Sequence, residues 1–144
     1  MRKLALMLSF MIVAGGAQQA MAIAQFQAAF IKEYVNTHPD KEFQKYVKTK
    51  AKCHICHQGK VTPKTVHHNA YGKHLVELLD PKEDKKDVEK MKKAFAKVAE
   101  MHSDPKDEKS PTYGELIKEG KLPGGDLEES KKEPKEEAKD ETAK

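Results

Sequence analysis

Both cysteines of this chain and two of its seven histidines fall within five consecutive residues, Cys53-His54-Ile55-Cys56-His57. Thiols and imidazoles at this spacing suit three kinds of chemistry. Two thiols about one turn apart can each add to one of the two vinyl groups on a porphyrin edge, and the histidine directly after the second is carried under the ring to bind iron. This is the C-x-x-C-H pattern of covalent haem attachment. A second option is tetrahedral zinc held by Cys53, Cys56, His68 and His74, whose separations lie close to those of a Cys2His2 finger. A third is a redox dithiol in which a helix N-terminus lowers one cysteine pKa.

The surroundings of the cluster favour the first. The segment between Cys56 and His68 is polar and broken by Pro63, and the charged-then-apolar start of the chain, Arg2 and Lys3 before Leu4 to Ala14, marks it for export, an odd place for a finger. A redox dithiol usually follows a strand in a βαβ unit, and no stretch alternates with period two for long enough to make a strand. The expected cofactor is one covalently bound haem c. Cys53 and Cys56 would be its thioether sites and His57 the proximal ligand to its iron. His54, inside the motif, is expected to be exposed and turned away from iron. No residue is assigned a catalytic role.

The far side of the iron decides what such a group does. A histidine or methionine there makes a low-spin electron carrier, while an open position allows peroxide chemistry or gas sensing. The candidates are His67 and His68 in a loop and Met91, Met101 and His102 on a long predicted helix, or no protein ligand at all. The eleven residues from His57 to His68 can stretch over about 35 Å, so reach excludes neither loop histidine.

The elements that must position these residues are helical. Residues 1–22 read as a secretory signal peptide: Arg2 and Lys3 precede an apolar run from Leu4 to Ala14, and Ala20-Met21-Ala22 supplies a small-x-small cleavage pattern. That run is too short to span a bilayer, and the residue after the cleavage pattern is Ile23, not a cysteine that could carry a lipid. The mature protein is expected in the periplasm or otherwise exported, soluble and without a membrane anchor. Ile23 to Asn36 places Phe26, Phe30 and Tyr34 at helical spacing. A second helix from Asp40 to Lys50 bears Phe43, Tyr46 and Val47 and runs almost directly into the cysteines. After a polar loop, Asn69 can cap a third helix that ends near Pro81. The longest predicted helix spans Asp84 to His102, with Val88, Met91, Phe95, Val98 and His102 on one stripe. A last short helix runs from Thr112 to Glu119 and is closed by Gly120. Tyr-Gly occurs just ahead of an aliphatic helix twice, at Tyr71-Gly72 and Tyr113-Gly114. Each pair marks either a helix start with a buried tyrosine or a haem contact. The expected fold class is all-α, one small helical domain over residues 23–125 wrapped around one haem.

Composition adds two constraints. Charged residues make up 35% of the chain and aromatic ones only 6%, with no tryptophan, so a bound group is expected to supply part of the core. Residues 126–144 hold eight carboxylates, five lysines and a single leucine, which reads as a disordered charged tail. With the tail at −3, the signal at +2 and the whole chain at +4, residues 23–125 carry +5. A basic domain of this kind can draw in an acidic partner.

The segments "AKCHICHQGK", "NAYGKHLVELL" and "SPTYGELIKEGKLPGG", in that order after a signal peptide, resemble the small secreted monohaem c-type cytochrome-domain proteins common in planctomycete bacteria. The resemblance covers roughly Phe43 to Gly125. It implies thioethers at Cys53 and Cys56 and proximal ligation by His57, and it supplies no distal ligand. The expected function is an electron carrier between periplasmic redox proteins, not an enzyme, with no nucleic-acid partner. The alternatives are a five-coordinate haem protein acting on peroxide or sensing a gas, and a zinc-stabilised binding module.

Overall fold

A computed structural model of the chain describes residues 24–61 and 67–134, and among these there are helices and turns but no strand. The expected signal peptide lies outside the described residues. No helix among those described is long and apolar enough to cross a membrane.

Helix α1 covers residues 24–35, its last turn, Ile31–Val35, widening into π geometry. Its Phe30 is buried where three elements meet, with ring centroids 5.3 Å from Tyr34, 6.0 Å from Tyr71 and 6.0 Å from Phe95. Tilted and edge-on pairs of this kind suit the aromatic quadrupole and add to the area they bury. Helix α2, Lys41–Tyr46, starts as expected at Asp40, whose carboxylate accepts from the N–H groups of Glu42 and Phe43. It continues through a π turn, Val47–Ala51, into a 3-10 turn, Lys52–Ile55, which carries Cys53. Helix α3, Ala70–Leu78, is capped by Asn69. Helix α5, Tyr113–Lys118, begins with a capping box between Thr112 and Glu115.

The long predicted helix is shorter at both ends. Asp87 leaves helical geometry (φ −87, ψ 84) and caps α4, Val88–Ala99, through Lys90 N–H, while Asp84–Lys86 forms a separate 3-10 turn. At the other end the chain pairs with a distant segment instead of continuing the helix. Tyr113 N–H donates to Met101 C=O at 3.0 Å and Ser103 N–H to Pro111 C=O at 2.9 Å. The buried stripe therefore keeps Met91, Phe95 and Val98, and both Val88 and His102 are exposed.

Helical structure continues past the expected boundary at Gly125. Asp126 caps helix α6, Leu127–Lys131, and Leu127 and Ser130 are buried. Gly59 N–H donates to Ser130 C=O at 2.8 Å, and Lys60 N–H to the Glu133 carboxylate at 3.0 Å. A composition count misses this because one leucine is enough when a slot in the core already fits it. The rest of the expected tail, 135–144, lies outside the described residues.

Two buried side chains make polar contacts, and one of them, His38, joins the segment before α2 to the end of α5. Asp40 N–H donates to His38 Nδ1 at 3.1 Å, so His38 Nε2 carries the proton and donates to Lys118 C=O at 3.2 Å, at the open end of α5. His38 is buried and packs on Phe43. Asp84 is buried too, holding Lys90 Nζ at 2.7 Å and Asp80 N–H at 2.8 Å. Its carboxyl lies below the usual aspartate range because of the Lys90 hydrogen bond first and the Asp80 N–H second.

His38→Ala is expected to cost about 2 kcal/mol, near one for each lost hydrogen bond, in urea unfolding at neutral pH. A loss under about 0.5 kcal/mol would remove the tie as a stabilising contact. For Asp84 the depressed folded-state pKa makes a contribution that is present above the unfolded value near 4 and is lost as pH falls through the folded one. Asp84→Asn should therefore narrow the gap between urea midpoints at pH 7 and pH 3. An unchanged gap would contradict that sign.

Candidate functional site

The cysteine cluster sits where α2 gives out. Lys52 adopts φ +47 and ψ −118, a conformation that side chains rarely take and one that swings the chain from the π turn into the 3-10 turn. Within that turn the N–H groups of Cys56 (3.2 Å) and His57 (3.0 Å) both donate to Cys53 C=O. Cys53, Cys56 and His57 are thereby gathered around one carbonyl. Both cysteines are free thiols. Burial, with Cys53 adding to it, pushes the Cys56 thiol up to about 12, so it stays protonated at neutral pH. A redox dithiol needs the opposite shift.

His57 is fixed by a short antiparallel ladder. Gln58 N–H donates to His67 C=O at 3.2 Å and Asn69 N–H to Cys56 C=O at 3.0 Å, so His57 and His68 face each other between the two bonds. That is the narrow kind of pair, with both side chains on one face. Their ring centroids are 4.7 Å apart and their planes 33° apart. His57 is 8% exposed, and its Nδ1 lies 3.2 Å from His67 C=O. A carbonyl only accepts, so Nδ1 carries the proton and Nε2 keeps its lone pair. Burial, opposed by this bond, moves the His57 pKa down and keeps the ring neutral. A neutral imidazole with one nitrogen held by a carbonyl and the other unprotonated is a metal-ligand arrangement.

Asn69 locks the turn to α3. Its side-chain oxygen accepts from Gly72 N–H at 2.9 Å, which is the helix cap, and its amide nitrogen donates to the carbonyls of His54 (3.0 Å) and Ile55 (3.1 Å). At Gly72 a methyl group would overlap the Cys56 carbonyl oxygen, and at Gly124 it would overlap the Asn69 amide. Sequence reasoning takes Asn69 only as a cap, takes Gly72 only as half of a Tyr-Gly pair at a helix start or haem contact, and assigns Gly124 no role. The available signal was the asparagine itself, whose amide has two donors left over after its oxygen has capped a helix.

The other named residues fall as follows. His54 is half-buried rather than exposed, its Nδ1 turned back to His57 C=O at 3.4 Å. His74 packs on Tyr113, with centroids 5.8 Å apart, and His68 on His57, so the proposed zinc set is not assembled. No group of three or more His, Cys, Asp or Glu side chains placed to hold a metal occurs among the described residues. Two ligands on opposite faces of one metal, each with a bond near 2 Å, need imidazole centroids about 6 Å apart, which the His57–His68 pair does not meet. His67 is exposed, and His102 is exposed with Nδ1 2.6 Å from Ser110 C=O. Met91 is buried in the core and Met101 is partly buried against it.

Tyr71 and Tyr113 are both buried, with ring centroids 5.3 Å apart, and neither hydroxyl has a partner among the described residues. Burial first, then the neighbouring Cys56, Tyr34 and Tyr113, holds the Tyr71 phenol well above its usual pKa, and burial raises Tyr113 as well. Both remain O–H donors without an acceptor among the described residues. Two free thiols and a His57 Nε2 left unprotonated are the groups that covalent haem attachment would use.

Gly72→Ala tests the close approach of α3 to the turn, because the new methyl has only backbone to displace. It is expected to cost about 3 kcal/mol in urea unfolding, whereas Lys73→Ala, one residue on and exposed, should change stability by less than about 0.5 kcal/mol. Equal stabilities for the two variants would contradict the contact.

Comparison of the chain with models of protein families, with curated proteins and with solved structures finds no match.

Proposed function

We propose that the chain is an exported c-type haem protein that carries single electrons between redox partners. The observation that carries this reading is His57, held neutral with Nδ1 donating to His67 C=O and Nε2 unprotonated, one residue after a free thiol and four after another. Cys53 and Cys56 would hold the haem through thioethers and His57 Nε2 would ligate its iron. When bound, the haem supplies a metal that changes oxidation state, so an electron passes with no bond made in a substrate.

The residues of the chain set the conditions for that transfer. The His67 carbonyl fixes the His57 tautomer and strengthens Nε2 as a ligand. His68, on the same face as His57, is poorly placed to ligate from the opposite side, and His67 and His102 are turned to solvent. Met91 and Met101, at the core, remain as distal candidates. Lys48, Lys50 and Lys52 are exposed on the run into Cys53, which suits an acidic partner. The five-coordinate alternative differs only in leaving that far position open.

Co-expression with a haem-attachment system followed by reduced and oxidised spectra, with and without carbon monoxide, separates the readings. The carrier predicts a covalent c-type spectrum that carbon monoxide leaves unchanged, loss of stable ligation in His57→Ala, and intact low-spin bands in the His67→Ala, His68→Ala double variant. Rapid carbon monoxide binding would favour the open site. Colourless protein with one zinc per chain would sink both haem readings, and a high-spin double variant would overturn the exclusion of the loop histidines.

A further inference from the structure

We infer that Asn69 is the positioning residue for haem attachment and that Gly124 keeps it in place, an inference that rests on the haem reading above. Three consecutive carbonyls of the attachment motif, those of His54, Ile55 and Cys56, take their donors from this one residue: two from the side-chain amide at 3.0 and 3.1 Å and one from its backbone N–H at 3.0 Å. A helix cap needs none of these. Capping uses only the side-chain oxygen, on Gly72 N–H. Asn69 is 4% exposed, so water does not replace a donor withdrawn from these carbonyls without opening the site.

Attachment requires two thiols and one imidazole to meet a single planar group together. A turn that holds Cys53, Cys56 and His57 in register beforehand removes the ordering cost from that event. Asn69 does this from outside the motif, and α3, seated on the Cys56 carbonyl at Gly72, makes the hold rigid. Gly124 presses directly on the Asn69 amide, where any side chain would push it off the two carbonyls. The cap and the clamp are therefore separable functions of one side chain, and substitutions can divide them.

Asn69→Asp keeps a strong cap and removes both amide donors, placing a carboxylate against the carbonyls instead. Gly124→Ala leaves Asn69 unchanged and displaces its amide. Full-length wild type and both variants are co-expressed with a haem-attachment system, and covalent haem is counted per folded chain, with the pyridine haemochrome band reading how many vinyl groups remain. Haem-free protein is treated in parallel with iodoacetamide, following the rate at Cys56 alongside far-UV circular dichroism. Both variants should keep their helicity, lose about fivefold or more in doubly attached haem, and alkylate Cys56 about tenfold faster through local opening of the turn. Wild-type yield and wild-type alkylation in Asn69→Asp would overturn the clamp and leave Asn69 a cap. Wild-type chain that takes no covalent haem would overturn the haem reading and the inference with it, so the two failures are distinct. If Asn69→Asp does not fold, Gly124→Ala carries the test, and unchanged values in it overturn the inference.

Discussion

Three adjacent carbonyls, those of His54, Ile55 and Cys56, point out of a turn too short to satisfy them, with Ile55 buried and His54 and Cys56 half-buried. Buried carbonyls without donors are costly, and a 3-10 turn that ends after four residues supplies none of its own. Asn69 answers all three, and much of the rest of the fold is arranged to let it do so. Helix α3 can start only where Asn69 is. Gly72 lets that helix rest on the Cys56 carbonyl, and Gly124 lets the chain after α5 close over the amide. The ladder beside it, Gln58 to His67 and Asn69 to Cys56, then orients His57.

The core is continuous in this arrangement, running from Phe30 through Tyr71 and Phe95 to Ile117 and Leu127. The expectation that a bound group must supply core material is therefore not needed to account for the helices. Few aromatics suffice because they meet: Phe30 touches three other rings, and Tyr71 and Tyr113 touch each other. What the core lacks is polar satisfaction. Two protonated phenols, Tyr71 and Tyr113, lie buried with no hydrogen-bond partner for their O–H groups among the described residues.

The C-terminal segment shows how a charged sequence can still be structural. Helix α6 exposes its ion pairs, Lys131 with Glu128 and Lys132 with Glu129, and buries only Leu127 and Ser130. Its hold on Gly59 and Lys60 reaches the loop just after the motif. Residues 130 and 133 thus reach a loop more than 70 positions earlier in the chain, just after the cysteine cluster.

From sequence alone, the spacing of Cys53, Cys56 and His57 determined which chemistry was available, and the caps at Asp40, Asn69 and Thr112 fixed where helices start, because both depend on residues a few positions apart. The all-α class followed from the same short-range periodicity. Tertiary structure alone decided the rest. The α4 stripe stops before His102 because residues 101–103 pair with 111–113, and His68 stands beside His57 because two backbone bonds place it there. The roles of Asn69, Gly72 and Gly124 depend on contacts between residues up to 55 positions apart, Asn69 with Gly124, and no local pattern encodes such a distance.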